Sequence, residues 1–284
     1  EAARHALSNS NLAADQVEVL IYGGVCRELF EPATACRVAS VLGMGGDSEI
    51  FDVSNACLGV LNGMIEIANR IELGQIKAGM VVSCETAREI NDVMIERMLA
   101  ARDMETFKYS LATLTGGSGA VAVLLTDGSF TQPRRRRLVG AAVKSAPQFH
   151  ELCRWGLESF VPSALHQLRQ FTATDSVGVL KNGVDLGLKT WNSFLKSMGW
   201  VREQVDRVIC HQVGGSHRDT ILKTLGIDEA RDFSTFPFLG NMGTVSLPLT
   251  AALAEEREFL KAGQHVGFLG IGSGLNCLIL GIEW

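Results

Sequence analysis

The chain has 284 residues, of which 46% are hydrophobic, and a formal net charge of -5; it can bury a sizeable core, and neither a disordered chain nor a broad nucleic-acid-binding surface fits it. Its seven cysteines include no Cys-x-x-Cys pair, so neither a disulfide framework nor a zinc site is indicated. No run approaches the ~18 apolar residues of a membrane span, and there is no signal-peptide pattern, so no integral membrane segment and a cytoplasmic location are expected.

Residues 1–7 form a helix-favouring string without a Ser, Thr or Asp cap before it, which reads as the cut edge of something longer. Residues 17–22 are a β-branched apolar run ending in Gly23-Gly24, a buried strand, and residues 34–42 have a helical pattern. A brief strand over 50–53 runs into apolar residues at helical spacing from Cys57 to Leu73. Further strands are expected at 78–83, 120–125 and 138–143.

Residues 147–174 show no sustained period and are taken as the segment connecting an N-terminal half, 1–146, to a C-terminal half, 175–284. In the second half, helices are expected at 177–198, 216–225 and 248–260, and strands at 205–210, 264–269 and 275–282. Strands and helices alternate in both halves, which predicts an α/β fold with sheets buried between helices.

Four features could carry chemistry. Cys57, in Asn55-Ala56-Cys57-Leu58-Gly59, stands where a strand meets a helix; the unpaired N–H groups and the helix dipole there favour thiolate, although a cysteine in an apolar stretch can equally be packed core. His211 follows a strand and precedes Gln212-Val213-Gly214-Gly215, an open polar position that also suits a structural histidine. Asn241 lies in Gly240-Asn241-Met242-Gly243, where the glycines force a tight turn, and could be held as a rigid amide or serve the turn alone. The loop Gly270-Ile271-Gly272-Ser273-Gly274 could present backbone N–H groups to an oxyanion, or be an ordinary hairpin turn. The basic run 134–137 is a solvated loop or a phosphate contact, and apolar residues around Leu152 to Pro162 are core or channel wall.

Taken together, a cysteine at a helix start, a histidine at a strand end, Gly-Asn-x-Gly and a C-terminal glycine loop, in that order, resemble the thiolase superfamily in its β-ketoacyl synthase III branch. The resemblance spans residues 17–284. It implies a five-layer αβαβα fold of two related halves, a homodimer, and an active site where the halves meet, with Cys57, His211 and Asn241 catalytic and the backbone N–H groups of Cys57 and Ser273 as oxyanion hole. It also implies that the first half lacks a strand and helix at its start.

One position departs from the branch. Before Pro32, where those synthases place an apolar residue that reaches the partner subunit's acyl pocket, this chain has Glu31. That is similar to the long-chain acyl-CoA condensing enzymes of bacterial head-to-head olefin synthesis, and implies that Glu31 acts as a base in the partner subunit. The expected reaction is a Claisen condensation of two acyl-CoA thioesters through a Cys57 acyl-enzyme, giving a 2-alkyl-3-ketoacyl product or β-keto acid. No metal or redox cofactor is expected, and coenzyme A enters as part of the substrate. Acyl carrier protein is an alternative thioester donor. Two other readings stand beside this one: a decarboxylating synthase that uses a malonyl thioester, and an inactive acyl-binding or dimer-partner subunit.

Overall fold

The structure, a computed structural model, describes residues 1–130, 136–160 and 167–284. Among them are strands β1 (Val19–Gly23), β2 (Glu49–Val53), β3 (Ala78–Glu85), β4 (Gly119–Thr126), β5 (Arg137–Ser145), β6 (Cys153–Phe160), β7 (Gln167–Thr174), β8 (Arg207–Cys210), β9 (His265–Gly272) and β10 (Asn276–Glu283). One sheet has the order β2-β1-β3-β4, with β1 parallel to β2 and β3 and with β4 antiparallel to β3. The other has the order β5-β10-β9-β8, antiparallel except for the β8–β9 pair.

The alternation of side chains along the strands divides the core into three layers. On β1, Leu20 and Tyr22 face a cluster with Ala3, Ala35 and Ala39, contributed by the helices Ala2–Ser10 and Thr34–Leu42. Val19 and Ile21, on the opposite face, join Leu61, Met64 and Ile67 of helix Gly59–Glu72. That same cluster holds Leu247, Ala251 and Ala254 of helix Ser246–Glu256, and Ile209, Phe268 and Leu278 from the second sheet. Beyond that sheet, Cys210, Cys277 and Ile279 pack on Trp191 and Phe194 of helix Ser176–Met198 and on Leu222 and Leu225 of helix Gly215–Leu225. Helices, sheet, helices, sheet and helices thus form the five αβαβα layers.

The expected helix over 34–42 is found with those limits. Its first N–H groups, on Thr34 and Ala35, donate to the Asp52 carboxylate at 2.9 Å each, and it ends at Gly43 with φ 69°. Two expectations are corrected. β5, placed in the first half from its sequence, hydrogen-bonds to β10 in the second sheet, so the sheets part ahead of residue 137. The segment 147–174, taken as a connecting stretch without a sustained period, holds the short 3-10 helix Pro147–Leu152 and the antiparallel pair β6–β7. Helices Arg88–Ala101 and Met104–Ser110 were not anticipated; both carry much exposed apolar surface and little periodicity.

Arg134 and Arg135 lie outside the described residues. Of the rest of the basic run, Arg136 pairs with Glu255 and lies over the Trp284 ring at 4.9 Å, and Arg137 pairs with Glu283 at 3.4 Å, so both are engaged with their own chain. No helix among the described residues is long and apolar enough to cross a membrane.

Candidate active site

The nucleophile candidate lies at the start of a helix that follows a strand, as expected. Cys57 occupies a 3-10 turn, Ala56–Leu58, that precedes helix Gly59–Glu72, and Ala56 adopts φ 45°, a conformation uncommon outside glycine. The turn is held from several sides. Leu58 N–H donates to the Asn55 carbonyl at 2.9 Å, and the Asn55 side chain bonds to Asn62 at 2.8 Å and to Asn276 at 3.0 Å. Val60 N–H donates to the Thr244 hydroxyl at 2.8 Å. Gly59 sits so tightly on β1 that a Cβ there would lie 2.9 Å from the Gly23 carbonyl carbon.

His211 extends the β8–β9 pairing by one residue, its N–H donating to the Leu269 carbonyl at 2.9 Å, and it is buried. Asn241 is fixed by its backbone to the first half: its N–H donates to the Thr115 carbonyl at 2.9 Å and its carbonyl accepts from Gly117 N–H at 2.8 Å. Its side-chain Oδ1 accepts from Gly243 N–H at 3.0 Å, which leaves Nδ2 as a donor. Ser273 lies in the turn between β9 and β10, beside Gly272, whose Cβ position is 3.4 Å from Cys57 N.

Cys57, His211, Asn241 and Ser273 border one cavity of about 520 Å³, which lies between the two sheets' strand ends. Ala87, Ile90, Met242, Ile271 and Leu275 give it apolar walls. Cys153 and Trp155 of β6 also border it, which makes the β6 part of the anticipated 152–162 stretch cavity wall; Pro162 lies outside the described residues. Glu31 does not border it. It is exposed, on a loop where Leu29 and Phe30 are 59% and 94% exposed.

Burial sets the protonation states here. It pushes the Cys57 thiol up to about 12, with Cys153 and the Glu85 carboxylate adding to the shift, so desolvation outweighs the N–H groups that were expected to favour thiolate. Burial likewise lowers His211 to about 3, with His217 contributing, and the imidazole is neutral at ordinary pH. A neutral imidazole can take a proton on one nitrogen and donate from the other.

Three residues at the cavity were missed from the sequence. Glu85, 5% exposed, reaches the cavity from the end of β3; the signal was a carboxylate closing an otherwise apolar strand. Gly116 and Gly117 receive the Asn241 turn, and their signal was the glycine pair itself.

An αβαβα fold that joins a cysteine from the first half to a histidine and an asparagine from the second defines a condensing enzyme of the thiolase superfamily. A family model described as 3-oxoacyl-[acyl-carrier-protein (ACP)] synthase III C terminal matches residues 195–284. The whole chain is 56% identical to the acyl-CoA:acyl-CoA alkyltransferase of Shewanella oneidensis, covering 81% of that protein. It is 35% identical to the protein of the same name from Xanthomonas campestris pv. campestris, covering 80% of it. A crystal structure of Xanthomonas campestris OleA superposes with a TM-score of 0.91 at 34% identity, over 100% of this chain and 79% of that one. Another, with bound lauric acid and lauroyl-CoA, has a TM-score of 0.90 and covers 80% of that chain. The chain belongs to the acyl-CoA:acyl-CoA alkyltransferase (OleA) family.

Proposed function

We propose that this protein condenses two long-chain acyl-CoA thioesters head to head, as a homodimer in which each cavity is completed by Glu31 of the partner subunit. The observation that carries the reading is the single cavity bordered by Cys57, His211, Asn241 and Ser273. Three further points support it: the relatives' shared name, the lauroyl-CoA held by the Xanthomonas protein, and the variants of that protein solved at a cysteine and at a glutamate, whose separation equals that of Cys57 and Glu31 here.

In the first half-reaction Cys57 Sγ attacks the acyl carbonyl. A thiol held near 12 gives up its proton only as the new bond forms, and neutral His211 is the base at hand. The N–H groups of Cys57 and Ser273 receive the oxyanion, the carbon–sulfur bond to coenzyme A breaks, and the departing thiolate takes up the proton. A second acyl-CoA then loses its α-proton to Glu31 of the partner subunit, and its enolate oxygen is hydrogen-bonded by His211 and the Asn241 amide. The α-carbon attacks the Cys57 thioester, whose carbon–sulfur bond breaks to give a 2-alkyl-3-ketoacyl-CoA; the departing Cys57 thiolate takes up a proton and Glu31 releases the one it accepted, which restores both groups. Addition of water to its thioester would release coenzyme A and the β-keto acid. Every step uses these side chains and the thioester's own chemistry, so the reading includes no metal or redox cofactor. The cytoplasmic location inferred from the sequence belongs to this reading as well.

The test is incubation with a long-chain acyl-CoA alone, following free coenzyme A and the ketone that forms when the β-keto acid loses carbon dioxide. Ketone without any malonyl donor is the expected result. Turnover only when a malonyl thioester is added would replace the reading with the decarboxylating synthase, and acyl-CoA binding without thiol release would make the protein an acyl-binding subunit.

A further inference from the structure

The loop that carries Glu31 is tied down at both roots by carboxylates of its own chain. At the first root, Val25 N–H donates to Glu85 Oε1 at 2.8 Å and Cys26 N–H to Glu85 Oε2 at 3.1 Å. The Tyr22 hydroxyl reinforces this root, lying 2.5 Å from the Cys26 carbonyl and 2.8 Å from the Cys84 carbonyl. At the second root, Asp52 accepts from the N–H groups of Thr34 and Ala35, and the Arg27 guanidinium lies 3.8 Å away from it. Between the roots the chain stands out from the protein, with Phe30 almost fully exposed.

Both carboxylates sit on the framework of the chain's own site. Asp52 is on β2, just ahead of the Cys57 turn, and Glu85 ends β3 and borders the cavity with Cys57. A buried carboxylate in that cavity invites the role of base, but each Glu85 oxygen already accepts a backbone N–H, which is how an anchor is engaged.

We infer that Glu85 and Asp52 are positioning residues, a two-carboxylate clamp that aims Glu31, so that Glu85 serves the proton abstraction in the partner subunit's cavity and not the one it borders. This rests on the reading that Glu31 acts in the partner subunit. A general base must come within hydrogen-bond reach of its proton, and a misplacement of ~1 Å can cost on the order of 10²-fold in rate. Loosening either root therefore harms condensation through the geometry of Glu31.

Mixed dimers separate the possibilities. One protomer carries Cys57→Ala and an intact loop, and the other carries Glu31→Ala and an intact Cys57, so that a single complete site remains. If this parent dimer is acylated on Cys57 but makes no ketone, the reading of Glu31 itself fails and the clamp is not at issue. If it condenses, Glu85→Gln is placed in either protomer. Placed in the protomer that donates the loop, it is expected to lower ketone formation on the order of 10²-fold, while Cys57 of the other protomer is still acylated. Placed in the protomer that holds Cys57, where Glu85 borders the cavity and acts on the thiol, it is expected to cost less than it does in the loop-donating protomer. Equal losses, or a larger loss in the second placement, overturn the clamp. Asp52→Asn, tested the same way, decides the question if dimers carrying Glu85→Gln do not assemble.

Discussion

Gly117 and Leu239 touch through their backbones: a Cβ on Gly117 would lie 1.8 Å from the Leu239 carbonyl oxygen, closer than any side chain allows. This contact seats the turn holding Asn241 on the first half of the molecule, where Gly117 N–H also bonds to the Asn241 carbonyl. One methyl group at position 117 must therefore push the halves apart at the cavity. Gly117→Ala is expected to destabilise the fold by about 1–3 kcal/mol and to lower condensation as well, measured by urea unfolding and by ketone formation. A variant with unchanged unfolding midpoint and rate would show that the turn adjusts without cost.

Gln212 supports the same region from the other side. It is buried, its Nε2 donates to the Cys210 carbonyl at 2.6 Å, and its Oε1 accepts from the N–H groups of Thr235 and Phe236 at 3.0 and 2.9 Å and from the Ser234 hydroxyl at 3.0 Å. Gln212→Leu keeps the volume but leaves those N–H groups unpaired away from water. A loss on the order of 3 kcal/mol is expected from the denaturant midpoint, and a loss under about 0.5 kcal/mol would show that water replaces the amide.

The half-reactions should come apart by substitution. Cys57→Ala is expected to remove acyl-enzyme formation, seen as loss of the acyl mass increment on the intact protein. Glu31→Ala should still be acylated and should make no ketone, because in the proposed mechanism its carboxylate serves only the second substrate. An unacylated Glu31→Ala protein would place Glu31 in the first step.

The pH dependence of Cys57 follows from its raised value. Below about 12 the thiolate fraction grows tenfold with each pH unit, and His211, lowered to about 3, stays neutral throughout. Alkylation of Cys57 by iodoacetamide should accordingly rise without an inflection over roughly pH 6 to 9. A plateau near neutrality would mean a thiolate–imidazolium pair.

The same groups bound the stability. Cys57 and Cys277 are raised in the fold, from 9.0 to about 12 and about 11, so the unfolded chain loses their protons first and stability falls as pH rises above 9. His211 is lowered from 6.5 to about 3, so the unfolded chain gains its proton first and stability falls as pH drops below 6.5. Melting temperature should be highest between these limits, and His211→Gln should flatten the acid side. An unchanged acid limb in that variant would assign it to the carboxylates.

Much of this protein was legible in the residue order. The β-branched run ending at Gly23 and the helix closed by Gly43 are local matters of hydrophobic period and turn chemistry, and they appear where the pattern put them, whereas β9 runs on through Gly272, past the expected end at residue 269. The types and order of Cys57, His211 and Asn241 likewise pointed to one site, and the three border a single cavity.

Only the tertiary structure could decide what depends on the distance between chain segments. β5 joined the second sheet because its partner, β10, lies at the far end of the sequence. The raised value of Cys57 came from enclosure between both halves, which no local motif encodes and which reversed the thiolate expected from a helix start. Glu85 became an anchor because folding carries Val25 and Cys26 to the end of β3, 60 and 59 residues away in sequence. A sequence specifies which groups are available; burial and long-range contacts set how they are charged and where they point.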